Sequence, residues 1–241
     1  DLSVDWQVTN LSSDEGWDEA MAGCDYVLHV ASPIAMQLPK DEDEMVKPAV
    51  EGTLRVLKAA SKAGVKRVVI TSSVAAIMYG TNKQGVFNEE DWTDPNSKTT
   101  NVYAKSKTLA EQAAWDFMKQ DTSGMELSTV LPAMVFGPIL EEDFGVSVGA
   151  ILDMMNGKYP IVPNWDMGVV DVRDVASLEL LAMTKPEAAG KRFVCSAENM
   201  FMKDQNEYLS EIFPESADKI PKRVAPNWLI KFLALFLPAL K

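Results

Sequence analysis

The 241 residues contain one histidine, His29, and two cysteines, Cys24 and Cys195, none with a second ligand at metal spacing. That scarcity excludes the common zinc frameworks and a disulfide scaffold. It points to a reduced, cytoplasmic protein with no metal, whose thiols are core residues. Positive charge is also in deficit. Lys and Arg number 23 against 35 Asp and Glu, a net charge of −12, which opposes nucleic-acid or anionic-membrane partners. The opening, Asp1-Leu-Ser-Val-Asp-Trp6, has neither the basic region nor the apolar core of a signal peptide, and none is expected. Long apolar runs are missing too. Trp228 to Leu237 is about half the ~20 residues that span a bilayer and Lys231 interrupts it, so a buried or partner-covered helix is expected. Finally, the 13 glycines nowhere form the Gly-x-x-Gly-x-x-Gly turn of a dinucleotide-binding strand–helix junction, which by itself argues against a nucleotide enzyme.

What is present is a globular chain, 47% hydrophobic, with alternating strand and helix patterns. Val8 to Leu11 is expected to be a short strand, followed by a helix from about Asp14 to Ala22, with Ser13 as cap and Gly23 as stop. Tyr26-Val-Leu-His-Val-Ala31 is near-continuously apolar, as in a parallel strand covered on both faces, and that places His29 as a hydrogen-bonded core imidazole. A helix is expected from Asp41 to Ala63, with Pro48 as an early kink and Gly64 as its end. The acidic run Asp41-Glu-Asp-Glu44 is its solvated start, favourable to the helix dipole. Strands are expected at Arg67 to Thr71, Glu126 to Leu131 and Arg192 to Cys195, an extended piece at Val169 to Val172, and helices from Tyr103, from Val146 to Asn156 and from Asp174 to Thr184. Pro132 to Pro138 is expected as a turn, and the tail from Lys203 as helices separated by prolines. This alternation specifies an α/β fold, a doubly wound parallel sheet with right-handed crossovers. Ligands in such sheets sit at the carboxyl ends of the strands, here Val30 to Pro33, Thr71 to Ser73 and Pro132 to Val135.

One of those ends carries chemistry. Val68-Val-Ile-Thr-Ser-Ser73 is a buried strand ending in hydroxyls, and Tyr103-Ala-Lys-Ser-Lys107 puts a phenol and an ammonium on one helical face. A free tyrosine titrates near ~10, so an adjacent cation that lowers this value makes it a better acid. Ser73 would hold a carbonyl oxygen, Tyr103 protonate it and Lys107 supply the cation. Tyr79-Gly-Thr-Asn-Lys83 repeats the spacing, but its interior is turn chemistry and Tyr79 is expected in a loop.

The segments Gly23 to Pro33, Lys47 to Leu57, Val69 to Ser73, Tyr103 to Trp115 and Val170 to Val175, in that order, closely resemble the extended short-chain dehydrogenase/reductases. The branch they resemble holds the dihydroflavonol 4-reductases and NADPH-dependent aldehyde or carbonyl reductases. In that family two strands and the glycine loop precede the position of Asp1, and the C-terminal region continues past Lys241, so the resemblance implies a chain clipped at both ends that binds NADPH poorly alone. It implies a dinucleotide-binding Rossmann-like domain over 1–137 and 169–195, and a smaller substrate-binding region over 138–168 and 196–241. Ser73, Tyr103 and Lys107 then take the catalytic positions. Asn10, where the family usually has Asp, and Leu11 would lie against adenine. Val30, Ala31 and Ser32 would line phosphates and ribose, with Thr71, Pro132 and Val135 about the nicotinamide and Ser147 near a lid. Met78 and Gly168 match positions that in flavonoid-reducing relatives hold substrate hydroxyls, which neither side chain can do, and Met78 with Met134 and Ile151 would form an adaptable apolar wall.

The implied activity is NADP(H)-dependent reduction of a small hydrophobic aldehyde or ketone by a monomer or homodimer, with NAD(H) as the other cofactor choice. A cinnamoyl-CoA reductase typically has Asn-Trp-Tyr-Cys-Tyr around its tyrosine where this chain has Asn101-Val-Tyr-Ala-Lys105, which disfavours a CoA thioester. Two rivals share the fold. A nucleotide-sugar epimerase or dehydratase needs cations for a diphosphate, and Ile139 to Asp166 offers only Lys158; a non-catalytic dinucleotide-binding regulator would usually have lost part of the triad.

Overall fold

The computed structural model describes residues 4–34, 39, 41–140 and 145–233, and divides the chain into two compact units. The first comprises 1–132 and 176–195, the second 133–175 and 196–241.

The first unit is built on a four-stranded parallel sheet in the order β1 (Tyr26–His29), β2 (Arg67–Thr71), β3 (Glu126–Pro132) and β7 (Arg192–Cys195). Its register pairs Tyr26 with Arg67, Arg67 with Glu126 and Thr129 with Arg192. β2 and β3 are the central strands and are almost wholly buried, as their unbroken Val, Ile and Leu runs require. β1 departs from expectation. It is the edge of this sheet, and Tyr26 and Leu28 are 37% and 39% exposed, so only His29 among its residues is buried. Val8 to Leu11 forms no strand and Val8 is 95% exposed. Helix α1 is short (Trp17–Met21) and starts from Gly16, since Ser13 spends its hydroxyl on the Glu15 amide instead of capping it.

Two long helices cover the sheet. α2 (Asp43–Ala63) runs through Pro48 and ends at Gly64, whose φ of 74° lets the chain reverse. α4 (Val102–Gln120) is capped by Asn101, whose Oδ1 accepts the Ala104 amide at 2.8 Å. Both helices bury small side chains: Ala49, Gly52 and Thr53 of α2, and Ala104, Thr108 and Ala110 of α4. Val56, Leu57, Ala60, Val68, Ile70, Ala114 and Leu127 form the core beneath. Burying a Val or Leu side chain contributes about 1.5–3 kcal/mol, so this cluster is the main source of the unit's stability.

A four-residue helix, α3 (Ala75–Met78), follows β2 and was not expected. Thr93 holds it: its hydroxyl donates to the Ala75 carbonyl at 2.7 Å and accepts the Tyr79 amide at 2.9 Å. Gly80 then turns with φ of 70°, and a Cβ there would stand 2.5 Å from Thr100 Oγ1 and 2.7 Å from the Asp94 carbonyl. Gly80→Ala should therefore lose ~2 kcal/mol or more of stability. A thermal-unfolding midpoint within a degree of the parent would contradict this packing.

The second unit holds a three-stranded sheet in the order β4 (Met134–Phe136), β6 (Asp166–Asp171), β8 (Glu198–Phe201), and a two-stranded pairing of β5 (Val162–Pro163) with β9 (Val224–Ala225). β4 is parallel to β6, and β6 antiparallel to β8. The expected turn at Pro132 to Pro138 thus contains a strand, and β5, β8 and β9 were not expected. Helices α5 (Val146–Met155), α7 (Met202–Ile212) and α8 (Asn227–Leu233) complete this unit, and α6 (Val172–Thr184) carries the chain back into the first. Of the expected tail helix, Ala234 to Leu237 lies outside the described residues. No helix among the described residues is long and apolar enough to cross a membrane.

Candidate active site

The sheet of the first unit delivers its hydroxyls as a parallel sheet must, at the carboxyl end of β2. Thr71 closes the strand, and Ser72 and Ser73 are buried just beyond it. The Ser73 Oγ accepts the Ala75 amide at 3.1 Å, and its hydroxyl lies near enough to Tyr103 to act on the phenol. The cap at Asn101 makes Tyr103 the second residue of α4, and one turn later Lys107 lies on the same face, 6% exposed. Lys107 donates from Nζ to the Thr71 carbonyl at 3.1 Å. An ammonium has three N–H groups, so donors remain for a ligand in the cleft that Lys107 lines with His29, Ala31, Ser32, Thr71 and Ser72. Serine, phenol and amine are thus brought together by two segments that share no sequence proximity.

The electrostatics differ from the expected picture in one respect. Burial raises the Tyr103 phenol above its ordinary value, with the Ser73 hydroxyl opposing and Tyr79 adding slightly. The expected lowering by Lys107 is not the dominant effect, because the phenol is desolvated while the amine is held by the Thr71 carbonyl. A raised value keeps the phenol protonated at neutral pH, the state a proton donor needs. Lys107 is itself pushed down to about 8 by burial, with Glu111 acting to restore it.

His29 sits 3.3 Å from Thr53 Oγ1 through Nε2, and burial with the nearby Lys107 charge holds its imidazole down to about 4. It is a neutral core residue at the floor of the cleft. Tyr79 caps the end of α3 in an extended conformation, and Lys83 is committed to Asp91 at 2.6 Å, so the second Tyr-x-x-x-Lys spacing builds no site.

The remaining positions divide between the units. Ala31 and Ser32 reach the cleft, and Val30 beside them is 55% exposed. Asn10 folds its side chain onto the Ser12 amide, and the Leu11 carbonyl accepts Arg55 at 2.8 Å, so this segment docks on α2. Pro132 is buried at the end of β3, where its carbonyl accepts the Val74 amide. Met78 is 42% exposed at the end of α3. Met134 and Val135 lie on β4, Ser147 and Ile151 on α5, and Gly168 on β6, all in the second unit. Gly168 has a packing reason of its own, since a Cβ there would stand 2.7 Å from Ser196 Oγ and 3.0 Å from the Ala133 Cβ.

One participant escaped the sequence reading. Glu111, one turn beyond Lys107, is 1% exposed and accepts from Ser72, Thr129, Trp115 and Arg192. The signal was there in the spacing: positions 103, 107 and 111 fall on one face of a helix.

A family model for 3-beta hydroxysteroid dehydrogenase/isomerase matches residues 4–211. Cinnamoyl-CoA reductase 1 of Petunia hybrida is 40% identical over 201 residues, which are 82% of this chain and 58% of that protein. A (2S)-flavan-3-ol-forming anthocyanidin reductase of Vitis vinifera is 33% identical over 224 residues, 86% of this chain and 65% of that one. This chain therefore spans less than two thirds of either plant protein. Among solved structures, yeast methylglyoxal/isovaleraldehyde reductase complexed with NADPH superposes with a TM-score of 0.78 at 32% identity, covering 88% of this chain and 69% of that one. By sequence and by fold, the chain belongs to the 3-beta hydroxysteroid dehydrogenase/isomerase family, within the extended short-chain dehydrogenase/reductases.

Proposed function

We propose that this chain forms the catalytic core of an NADP(H)-dependent reductase that converts an aldehyde or ketone to an alcohol. The observation that carries the reading is a buried Lys107, bound to the Thr71 carbonyl and lining a cleft at the end of β2, one helical turn from Tyr103 and beside the strand end that carries Ser73. All three relatives described above are reductases by name, and one was crystallised with NADPH.

The donor set suits the nicotinamide half of such a cofactor. Lys107 has N–H groups to spare for ribose hydroxyls, and Ser32 and Thr71 stand beside it at the strand ends. When bound, the reduced nicotinamide supplies a hydride to the carbonyl carbon; everything else falls to the chain. Ser73 donates a hydrogen bond to the carbonyl oxygen and holds it near Tyr103. The phenol, kept protonated by burial, gives its proton to that oxygen as negative charge develops there. Lys107 stabilises the phenolate left behind. Val30, Ala31 and Ser32 would line the cofactor toward its phosphates and ribose, Asn10 and Leu11 would flank adenine, Pro132 and Val135 would flank the nicotinamide, and Ser147 would touch the cofactor near a lid.

The substrate is a small or medium hydrophobic carbonyl compound, such as an aryl aldehyde or an oxo-ester. Met78, Met134 and Ile151 are the apolar side chains that would meet it. Gly168 and Met78 offer no side-chain hydrogen bond to a phenolic hydroxyl, and a site without polar readers discriminates poorly in favour of polyphenols. The test is kcat/KM of the full-length protein with NADPH for an aryl aldehyde and for a dihydroflavonol. A preference of ten-fold or more for the dihydroflavonol, about 1.4 kcal/mol of transition-state discrimination, would remove this substrate assignment.

A further inference from the structure

At the inner wall of the cleft, which Ser72 and Glu111 both line, lies a buried charged cluster centred on Glu111. Its Oε2 accepts Ser72 Oγ at 2.6 Å, and its Oε1 accepts Thr129 Oγ1 at 2.9 Å and Arg192 Nε at 2.7 Å. Both partners of the ion pair are out of solvent, with side-chain exposures of 9% for Arg192 and 1% for Glu111. Arg192 is held further by the carbonyls of Glu89 at 2.6 Å and Asp91 at 2.7 Å, and its guanidinium lies 3.7 Å from the centroid of the Trp92 ring. One carboxylate therefore ties together α4, the end of β2, the middle of β3 and the start of β7.

A carboxylate is not needed to fill such a space. An apolar core would be equally stable or more so, because desolvating an ion pair offsets most of its attraction. What a buried charge does, and a leucine cannot, is act on other charges. Lys107 lies four residues before Glu111 on the same helix, and it is the cation that burial works to neutralise.

We propose that Glu111 is a positioning residue for this site: its buried carboxylate fixes the Ser72 side chain next to Ser73 and keeps the Lys107 amine in its charged form inside a dry cleft. The inference rests on the reductase reading for its catalytic consequence but not for its electrostatic one. The other titratable or charged groups about Lys107 cannot substitute. His29 on β1 is neutral, Tyr103 on α4 is protonated, and of the carboxylates it is Glu111, not the Glu179 of α6 that accepts the Thr71 hydroxyl at 2.5 Å, that acts on the amine. Arg192 on β7, which faces Glu111 from the opposite side, partly neutralises it and sets how much of its field reaches Lys107.

The coupling has a sign that two variants read in opposite directions. Glu111→Gln keeps the shape and removes the charge, so the Lys107 amine should lose its proton about one pH unit lower. Arg192→Gln keeps the carboxylate and removes its counter-charge, so the amine should lose its proton at higher pH than in the parent. The readout is the titration of the Lys107 side chain by NMR in the intact chain, with the alkaline limb of kcat/KM for NADPH-dependent aldehyde reduction measured in parallel. Lost thermal stability with an unmoved Lys107 titration would mean a structural role only and overturn the proposal. If one variant fails to fold, the other decides by its direction. A shifted titration with no carbonyl reduction by the full-length protein would leave the coupling standing and remove the reductase reading; reduction with no shift would do the reverse.

Discussion

Replacing Tyr103 with Phe is expected to lower turnover of a carbonyl substrate by about 10²-fold or more while leaving nicotinamide nucleotide affinity nearly unchanged. The ring stays and the packing at the start of α4 stays. What goes is the phenolic proton, which burial keeps on Tyr103 at neutral pH. A factor of ~10² corresponds to about 2.7 kcal/mol of transition-state stabilisation, within the range that a single positioned acid supplies. The control is Tyr79→Phe, which should change turnover by less than two-fold, because Lys83 serves Asp91. Reduction at near the parent rate in the Tyr103 variant would eliminate it as the acid. A large loss in the Tyr79 variant would mean that the other spacing carries the chemistry.

Arg67→Met is expected to remove ~3 kcal/mol of stability and to lower the thermal midpoint by roughly 6–12 °C for a chain of this size. Arg67 is 4% exposed at the start of a central strand, a place where the apolar pattern alone would put a valine. Its salt bridge to Glu126 at 2.6 Å contributes little, since that carboxylate is 47% exposed and screened. Its other arm matters more. The same guanidinium donates to the carbonyls of Ala182 at 2.8 Å and Lys185 at 2.6 Å, where the last turn of α6 has acceptors without helical partners. Methionine fills the volume and leaves those acceptors dry and unpaired. Arg67→Lys should recover part of the loss with one donor arm. A destabilisation below about 1 kcal/mol in the methionine variant would show that water reaches these carbonyls.

Where local chemistry decides, the sequence was a good guide. β2 and β7 begin and end at the expected residues, and α4 begins at Val102, one residue before the expected start and directly after the capping Asn101, because buried apolar runs and caps are written in adjacent residues. Where pairing decides, it was not. β4, β8 and β9 are only two to four residues long and become strands because a partner strand is present. Val8 to Leu11 has the composition of a strand, but the Leu11 side chain lies over Gly52 on α2, where a Cβ would come within 2.9 Å of it. In the candidate site, spacing on one helical face was enough to find Tyr103 and Lys107. The direction in which burial moves the phenol, and the four partners of Glu111, depend on what folds around those side chains and have no local trace.

The Glu111–Arg192 pair is bracketed by aromatic rings, with Trp115 donating from Nε1 to the carboxylate and Trp92 stacked under the guanidinium. Indole emission responds to electric field and to contact with a cation. Two of the chain's six tryptophans thus view the same charge pair, one from each end. The pair is wired to intrinsic fluorophores, so a change in its ionisation or geometry emerges as light, with no label attached and no substrate required.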